Sequence, residues 1–338
     1  MRAVVLVGGF GTRLRPLTLG RPKQMLPIVG VTMLERVVGR LGEQGVTEVV
    51  LSLGFEPDQF RRAFPGGVCA GVPIHYAQEP TPLDTGGGIA FAARSAGIDD
   101  TFLALNGDVL TDLDIATLVA AHRASGAAGT IALTPVEDPS RYGVVDTDED
   151  GRVRSFIEKP APGTAPSNWI NAGTYVLEPS VLDLVPPGAA SSIERDVFPH
   201  LAAAGTLFAV GSEAYWVDAG TPDAYLQAQL DLVAGRRLGG PEPGVAPDAV
   251  VEAGASVERS VVGSGVRVGA GATVVDSVLS AGVRIGAGAR VTGSIVGGDT
   301  VIGEGAVVEG LSVIGYGQAI AGGASLDGVL VPPKEEWA

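Results

Sequence analysis

The feature that most restricts how this chain can fold is a six-residue beat in its last third. Apolar residues stand at Val251, Val257, Val262, Val268, Val274, Leu279, Ile285, Val291, Val296, Ile302, Val308, Ile314 and Ile320, in steps of six and occasionally five residues. Every third member, Val251, Val268, Ile285, Ile302 and Ile320, returns after 17 or 18 residues. Glycine follows many of them, at Gly263, Gly269, Gly286, Gly297, Gly303 and Gly315. This beat is neither the 3.6 period of a helix nor the plain alternation of a strand. It fits a triangular coil in which each side turns one apolar residue inward. Such a coil buries its core only by stacking on the next, so the pattern predicts a parallel β-helix. A structureless linker has no reason to hold this phase for about seventy residues.

Residues 1–235 follow another rule. Apolar strand candidates at 3–7, 48–53, 74–76, 101–105, 130–135, 143–146, 171–177 and 207–210 alternate with helical patterns at 32–44, 85–96, 115–125 and 222–234. Alternation of this kind predicts a mostly parallel sheet covered on both faces, with ligands at the carboxyl ends of its strands. Residues 236–247 are polar and rich in Gly and Pro, which marks a linker. The expected domains are therefore 1–235, a linker 236–247 and the β-helix 248–331.

The first strand runs into Gly8-Gly9-Phe10-Gly11-Thr12-Arg13-Leu14-Arg15-Pro16-Leu17-Thr18, and Arg21-Pro22-Lys23 follows. Glycines let the backbone turn and approach a ligand, and bare amides with fixed cations suit a polyphosphate. No G-x-x-x-x-G-K-[ST] string occurs, so this is no Walker loop. Leu14 stands where a dinucleotide fingerprint needs its third glycine. The net charge of -15 argues against nucleic acid or an anionic membrane as partner, so a phosphate site must draw on local cations and metal. Cys69 is the lone cysteine, which leaves no disulfide framework. No stretch has the features of a secretory signal or a bilayer span, and the expected location is the cytoplasm.

Further polar strings interrupt the apolar pattern. Asp108 follows the 101–105 strand, and Asp218 stands in Trp216-x-Asp218-x-Gly220-Thr221-Pro222 before a helix. Two carboxylates with phosphate oxygens suit Mg²⁺; taken alone, either Asp is equally a turn or helix-cap residue. Phe156-Ile157-Glu158-Lys159-Pro160 closes one strand candidate and Asn171-Ala172-Gly173-Thr174-Tyr175 opens another. Glu158-Lys159 alone reads as a solvated charge pair. Ser192 to Pro199 reads as a helix start. His75, His122 and His200 share no motif, and none lies in the coils, which argues against the acyl transfer that some hexapeptide-repeat proteins perform with a coil histidine.

Taken together, the strings resemble the sugar nucleotidyltransferases, also called NDP-sugar pyrophosphorylases. Their signature G-G-x-G-T-R-L-x-P-L-T, followed by P-K, is matched at every fixed position. The nearest form is that of bacterial mannose-1-phosphate guanylyltransferases with a C-terminal β-helix. The resemblance implies a Rossmann-like α/β domain with a mixed, mostly parallel sheet, then a left-handed parallel β-helix of hexapeptide repeats. It implies the reaction GTP + sugar 1-phosphate → GDP-sugar + pyrophosphate, with Mg²⁺ as cofactor. Arg13 and Lys23 would be catalytic. Leu6, Gly8, Gly9, Gly11, Thr12, Glu79, Asp84, Thr85 and Gly86 would hold the nucleotide. Gly143, Glu158, Lys159, Asn171 and Glu194 would hold the sugar phosphate, and Asp108 and Asp218 the metal. A homo-oligomer built through the coils is expected.

Two departures bear on the base. Glu79-Pro80-Thr81-Pro82-Leu83-Asp84-Thr85-Gly86-Gly87 matches a guanylyltransferase pattern except at Asp84, where glycine is usual. That carboxylate could accept from guanine N1–H and the 2-amino group. Lys23-Gln24-Met25-Leu26-Pro27 carries a Gln that also occurs in thymidylyltransferases. Thymidylyl or uridylyl transfer to glucose 1-phosphate, guanylyl transfer to a cyclitol phosphate, and a catalytically silent regulatory subunit stay open as alternatives.

Overall fold

The structure, a computed structural model, describes residues 1–54 and 57–337. It divides into two compact units. One contains Met1–Gly9 and Leu34–Trp216, and the other contains Phe10–Met33 and Val217–Ala338. The loop that follows the first strand is therefore counted with the chain's last third.

The first unit holds a ten-stranded mixed sheet. Arg2–Leu6 lies at its middle, pairing in parallel with Glu48–Leu53 on one side and Phe102–Asn106 on the other. Ala3, Val4 and Val5 are fully buried, as a strand covered on both faces requires. Val72–Gln78 extends the sheet in parallel beyond Glu48–Leu53. On the opposite side the pairing turns antiparallel. Trp169–Leu177 pairs with Phe102–Asn106, with Gly129–Pro135 and, through Ile170, with Gly143–Thr147. One strand can serve three neighbours because its register shifts between Asn171 and Tyr175. Beneath lies an apolar core in which the rings of Tyr175 and Phe156 each pack on Phe198, with centroids 5.1 and 5.6 Å away.

Most expected elements are present with shifted ends. The 74–76 strand grows to Val72–Gln78, and the 171–177 strand begins at Trp169. A short helix at Pro57–Ala63 was not foreseen, and the helix start expected at Ser192 to Pro199 opens as a π-helical turn, Ile193–Val197, capped by Ser192. Neither is long enough to display a period. No helix among the described residues is long and apolar enough to cross a membrane.

In the second unit, residues 250–331 form a left-handed parallel β-helix with three five-stranded sheets. The register stacks Val251, Val268, Ile285, Ile302 and Ile320 in one column, as the six-residue beat requires. Val262, Leu279, Val296 and Ile314 form another, and all four are buried. A ladder of buried serines, Ser260, Ser277, Ser294 and Ser312, stands two residues before this column. Ser277 Oγ donates to Val275 O at 2.7 Å and accepts from Ser294 N, in the next coil, at 3.1 Å. Ser260 Oγ receives Ser277 N in the same way.

Candidate functional site

At the carboxyl end of the parallel strands the first unit strips its backbone of side chains. Gly107 N donates to Leu6 O at 3.0 Å, and Val7 N to Ser52 O at 3.1 Å, so three strand ends are tied together. A Cβ on Gly54 would lie 2.7 Å from Gly8 O, and one on Gly107 would lie 2.8 Å from Leu6 O. These glycines are dictated by close backbone approach. Glu79 is the polar centre of this region. Its Oε1 lies 2.7 Å from Ser52 Oγ, and its Oε2 accepts from Leu83 N at 3.0 Å. Gly88 leaves the space Glu79 occupies, since a Cβ there would sit 2.9 Å from Oε1. Ser52 was not singled out from the sequence. Its signal is a fully buried hydroxyl inside the apolar run Glu48–Leu53.

The Asp84–Ser95 helix follows. Asp84 has φ +60, a conformation Asp tolerates better than most residues. Its Oδ1 accepts from Thr85 N at 2.8 Å, and its Oδ2 accepts from Arg195 at 2.6 Å. Thr85 reaches the same segment. Its hydroxyl donates to Glu194 Oε2 at 2.6 Å and accepts from Ile193 N at 2.9 Å. Ser192 Oγ donates to that carboxylate oxygen as well, at 2.8 Å. Gly86 and Gly87 have a packing reason to be glycine: a Cβ on Gly87 would lie 2.6 Å from Ala189 O, and one on Gly86 3.0 Å from Ser191 O. Residues expected to read the nucleotide and Glu194, expected to meet the sugar, are thus one hydrogen-bonded group.

The other sugar-side residues gather on the antiparallel part of the sheet. Gly143 and Glu158 are register partners, and a Cβ on Gly143 would lie 2.9 Å from Glu158 Oε2. Lys159 Nζ stands 3.2 Å from Glu158 Oε1 on an exposed side chain, and its backbone has φ +48. A left-handed lysine is uncommon and points to a constrained position. Asn171 shapes the strand irregularity: Oδ1 accepts from Gly173 N at 2.9 Å, and Nδ2 donates to the Tyr175 hydroxyl at 2.8 Å. Burial pushes the Tyr175 phenol far up, so it stays protonated. Trp216 Nε1 donates to Ala172 O at 2.9 Å, and its ring meets Tyr142 edge-on at 5.8 Å.

Asp108 is buried, at 7% exposure, directly after the Phe102–Asn106 strand. No group of three or more His, Cys, Asp or Glu side chains among the described residues could hold a metal by itself. Magnesium commonly takes one or two carboxylates and completes its shell with water and phosphate, so the Asp108 carboxylate is a donor of the kind it takes.

The rest of the expected site lies in the second unit. Gly11, at φ +61, caps a single 3₁₀ turn, Thr12–Leu14. Thr18 Oγ1 donates to Gly11 O at 2.7 Å and closes the loop. Leu14 and Leu17 are buried while Thr12 and Arg13 face solvent, as Gly9 of the first unit also does. Lys23 opens a second 3₁₀ turn, Lys23–Met25. Gln24, one of the two base clues, is buried at 1% exposure. Asp218 Oδ1 accepts from Gly220 N at 2.9 Å, the turn geometry that its spacing also allowed.

Comparison with known proteins gives the family. Residues 2–235 match the Nucleotidyl transferase family, and residues 241–337 match the GMPPB C-terminal domain. The chain belongs to the nucleotidyl transferase family. It is 41% identical, over 79% of its length and 76% of the relative's, to the mannose-1-phosphate guanylyltransferase of Mycobacterium tuberculosis. It is 40% identical to the mannose-1-phosphate guanylyltransferase catalytic subunit beta of Dictyostelium discoideum, over 67% of this chain and 63% of that one. Among solved structures, HddC from Yersinia pseudotuberculosis complexed with GMP-PN superposes with a TM-score of 0.59 at 31% identity, covering 68% of this chain and 97% of that one.

Proposed function

We propose that this nucleotidyltransferase moves the guanylyl group of GTP onto mannose 1-phosphate, or a closely related sugar 1-phosphate, and releases pyrophosphate. The observation that carries the reading is the glycine-lined end of the parallel strands, where Gly8 and Gly88 leave room for Glu79 while Gly54 and Gly107 lie against the backbone of Gly8 and Leu6. Relatives named as mannose-1-phosphate guanylyltransferases support the base and the sugar. We assign the transfer to residues 1–235 and the coils to 248–331, joined by 236–247. The two family matches, 2–235 and 241–337, support that division.

In this reading a phosphate oxygen of the sugar phosphate attacks the α-phosphorus in line. The bond from that phosphorus to the bridging oxygen breaks, and pyrophosphate leaves with the electron pair. The nucleophile is already anionic, so alignment and charge neutralisation carry the rate. Arg13 stabilises the departing pyrophosphate, and Lys23 offsets charge on the α-phosphate. Thr12, Gly9 and Gly11 supply hydrogen-bonding groups to the phosphates. Glu79, Thr85 and Gly86 shape the nucleotide seat. Lys159 binds the sugar phosphate as a point charge. Glu158, Asn171 and Glu194 meet sugar hydroxyls, with the backbone of Gly143 beside them. Asp108 and Asp218 are assigned to Mg²⁺, which supplies charge neutralisation at the phosphates. Asp84 is assigned to the guanine edge, with Arg195 holding its carboxylate. Asp84→Gly should then lower the preference for GTP over dTTP, and an unchanged preference removes that assignment.

The chain is expected to act in the cytoplasm and to self-associate through its coils, where Val250, Val251 and Val301 are exposed. Sedimentation at several concentrations checks the second point, and a monomer throughout rejects it.

The deciding experiment offers four NTPs against a panel of sugar 1-phosphates and reads pyrophosphate and product mass. GTP with mannose 1-phosphate should turn over fastest, and Arg13→Ala should lower kcat about 10²–10³-fold. Faster turnover of dTTP or UTP with glucose 1-phosphate transfers the protein to that specificity. Silence with every pair leaves the regulatory reading in its place.

A further inference from the structure

We infer that Tyr316 of the β-helix and Arg21 form a positioning contact that sets the loop carrying Arg13 and Lys23. This rests on the reading of that loop given above. The register aligns Ile314 with Val262, Leu279 and Val296 of the preceding coils. Two residues on from these, the earlier coils carry Ser264, Ala281 and Gly298, all small. The fourth carries Tyr316. The hexapeptide pattern gives no reason for an aromatic ring at that corner.

The ring has specific neighbours on both sides. The Arg21 guanidinium stands 4.0 Å from its centroid, within cation–π range. On the other side a Cβ on Gly298 would lie 3.1 Å from Tyr316 Cε1, so the small residue in the coil below makes room for the ring. Burial pushes the Tyr316 phenol up, while the Arg21 charge acts in the opposite direction. The adjoining residues repeat the contact: a Cβ on Gly315 would lie 3.3 Å from Pro16 Cβ, and the Arg15 guanidinium lies 5.9 Å from the Trp337 ring. Farther along, the loop is tied to the Pro222–Val233 helix. Tyr225 OH donates to Pro27 O, and Val29 N donates to Gln229 Oε1 at 3.1 Å. Arg13 and Lys23 thus sit on a segment with supports at 15–21 and 27–29. The first of these is built from the coil of Gly315 and Tyr316 and, at Arg15, from Trp337 beyond the last coil.

A positioning role predicts a particular pattern of effects. Tyr316→Ala and Arg21→Ala should each lower kcat on the order of tenfold with GTP and mannose 1-phosphate, because misplaced cations align the phosphates poorly. The KM for mannose 1-phosphate should change by less than about threefold, and the double variant should be no worse than the poorer single one. Tyr316→Phe keeps the ring and loses only the hydroxyl's hydrogen bonds with Arg21 and Ser280, so it should recover most of kcat. Hydrogen exchange read by mass spectrometry supplies a measure independent of turnover. Amides of residues 10–26 should exchange faster in both alanine variants, those of the middle coils should not, and Tyr316→Phe should match the wild type. Unchanged exchange at 10–26 in both alanine variants overturns the inference, as does equal loss of kcat in the alanine and phenylalanine variants. If Tyr316→Ala unfolds the coil, Arg21→Ala carries the test alone, since it leaves the coil sequence intact. Wild-type silence with every substrate pair, together with the expected exchange pattern, counts against the proposed reaction and for the contact.

Discussion

Thr85 and Glu194 lie 109 positions apart in sequence and are joined by a 2.6 Å hydrogen bond from Oγ1 to Oε2. The bond fastens the first turn of the Asp84–Ser95 helix to the turn at Ile193–Val197. Because Thr85 Oγ1 also accepts from Ile193 N, one hydroxyl serves both segments. Thr85→Val keeps the shape and removes both bonds. The expected loss is about 1–3 kcal/mol of stability, since Ile193 N is left without this acceptor. Urea titration of the two proteins checks it, and an unchanged midpoint would mean that water replaces the hydroxyl freely.

Gly143→Ala tests the sugar side. The new methyl would lie 2.5 Å from Phe156 Cζ and 2.9 Å from Glu158 Oε2, so the phenyl ring, the carboxylate or the strand must move. Overpacking of this kind typically costs about 1–3 kcal/mol. If Glu158 meets the sugar, KM for the sugar phosphate should rise about tenfold or more while KM for the nucleotide stays within about twofold. A parallel rise in both constants would instead mark a general distortion.

The coils offer a test confined to stability. Ser277 is fully buried, and its hydroxyl is the acceptor for Ser294 N. Ser277→Ala leaves that amide buried without its partner, at a cost of about 1–3 kcal/mol. Ser260→Ala removes the same arrangement one coil earlier, from Ser277 N. Nearest-neighbour stacking makes the two losses couple, so the double variant should depart from their sum. Simple additivity in a thermal or urea melt would argue that each coil corner is independent.

What could be read from the sequence divides along physical lines. The six-residue beat specified the inward columns of the coils from Val262 to Ile314, because each coil is held mainly by its neighbours, whereas Val251 of the first coil is exposed. The Ala3-Val4-Val5 run specified a strand buried on both faces for a similar reason. The Asp84–Arg195 pair and the contact of Gly173 with Asn106, where a Cβ would lie 2.7 Å from Nδ2, could not be read. They join segments remote in sequence, and nothing local encodes them.

Acid should weaken the contacts of Glu178. Glu178 accepts from Thr101 Oγ1 at 2.6 Å, and its Oε1 lies 3.0 Å from His122 Nε2. The Thr101 hydroxyl, with His122 adding to it, holds the Glu178 carboxyl below the ordinary carboxylate range. A carboxyl whose folded value is depressed contributes stability above its unfolded value, and that contribution is lost as pH falls through the folded one. Glu178→Gln should therefore destabilise the protein near neutral pH. The gap between variant and wild type should narrow as pH falls below the ordinary glutamate value of about 4.3 and then through the lower folded one. The side chain is 38% exposed, so solvent screening keeps the gap to about 1 kcal/mol or less. Melting temperatures of the two proteins across that range decide the matter. A gap that stays constant with pH would show that packing of the side chain, and not its charge, matters at this position.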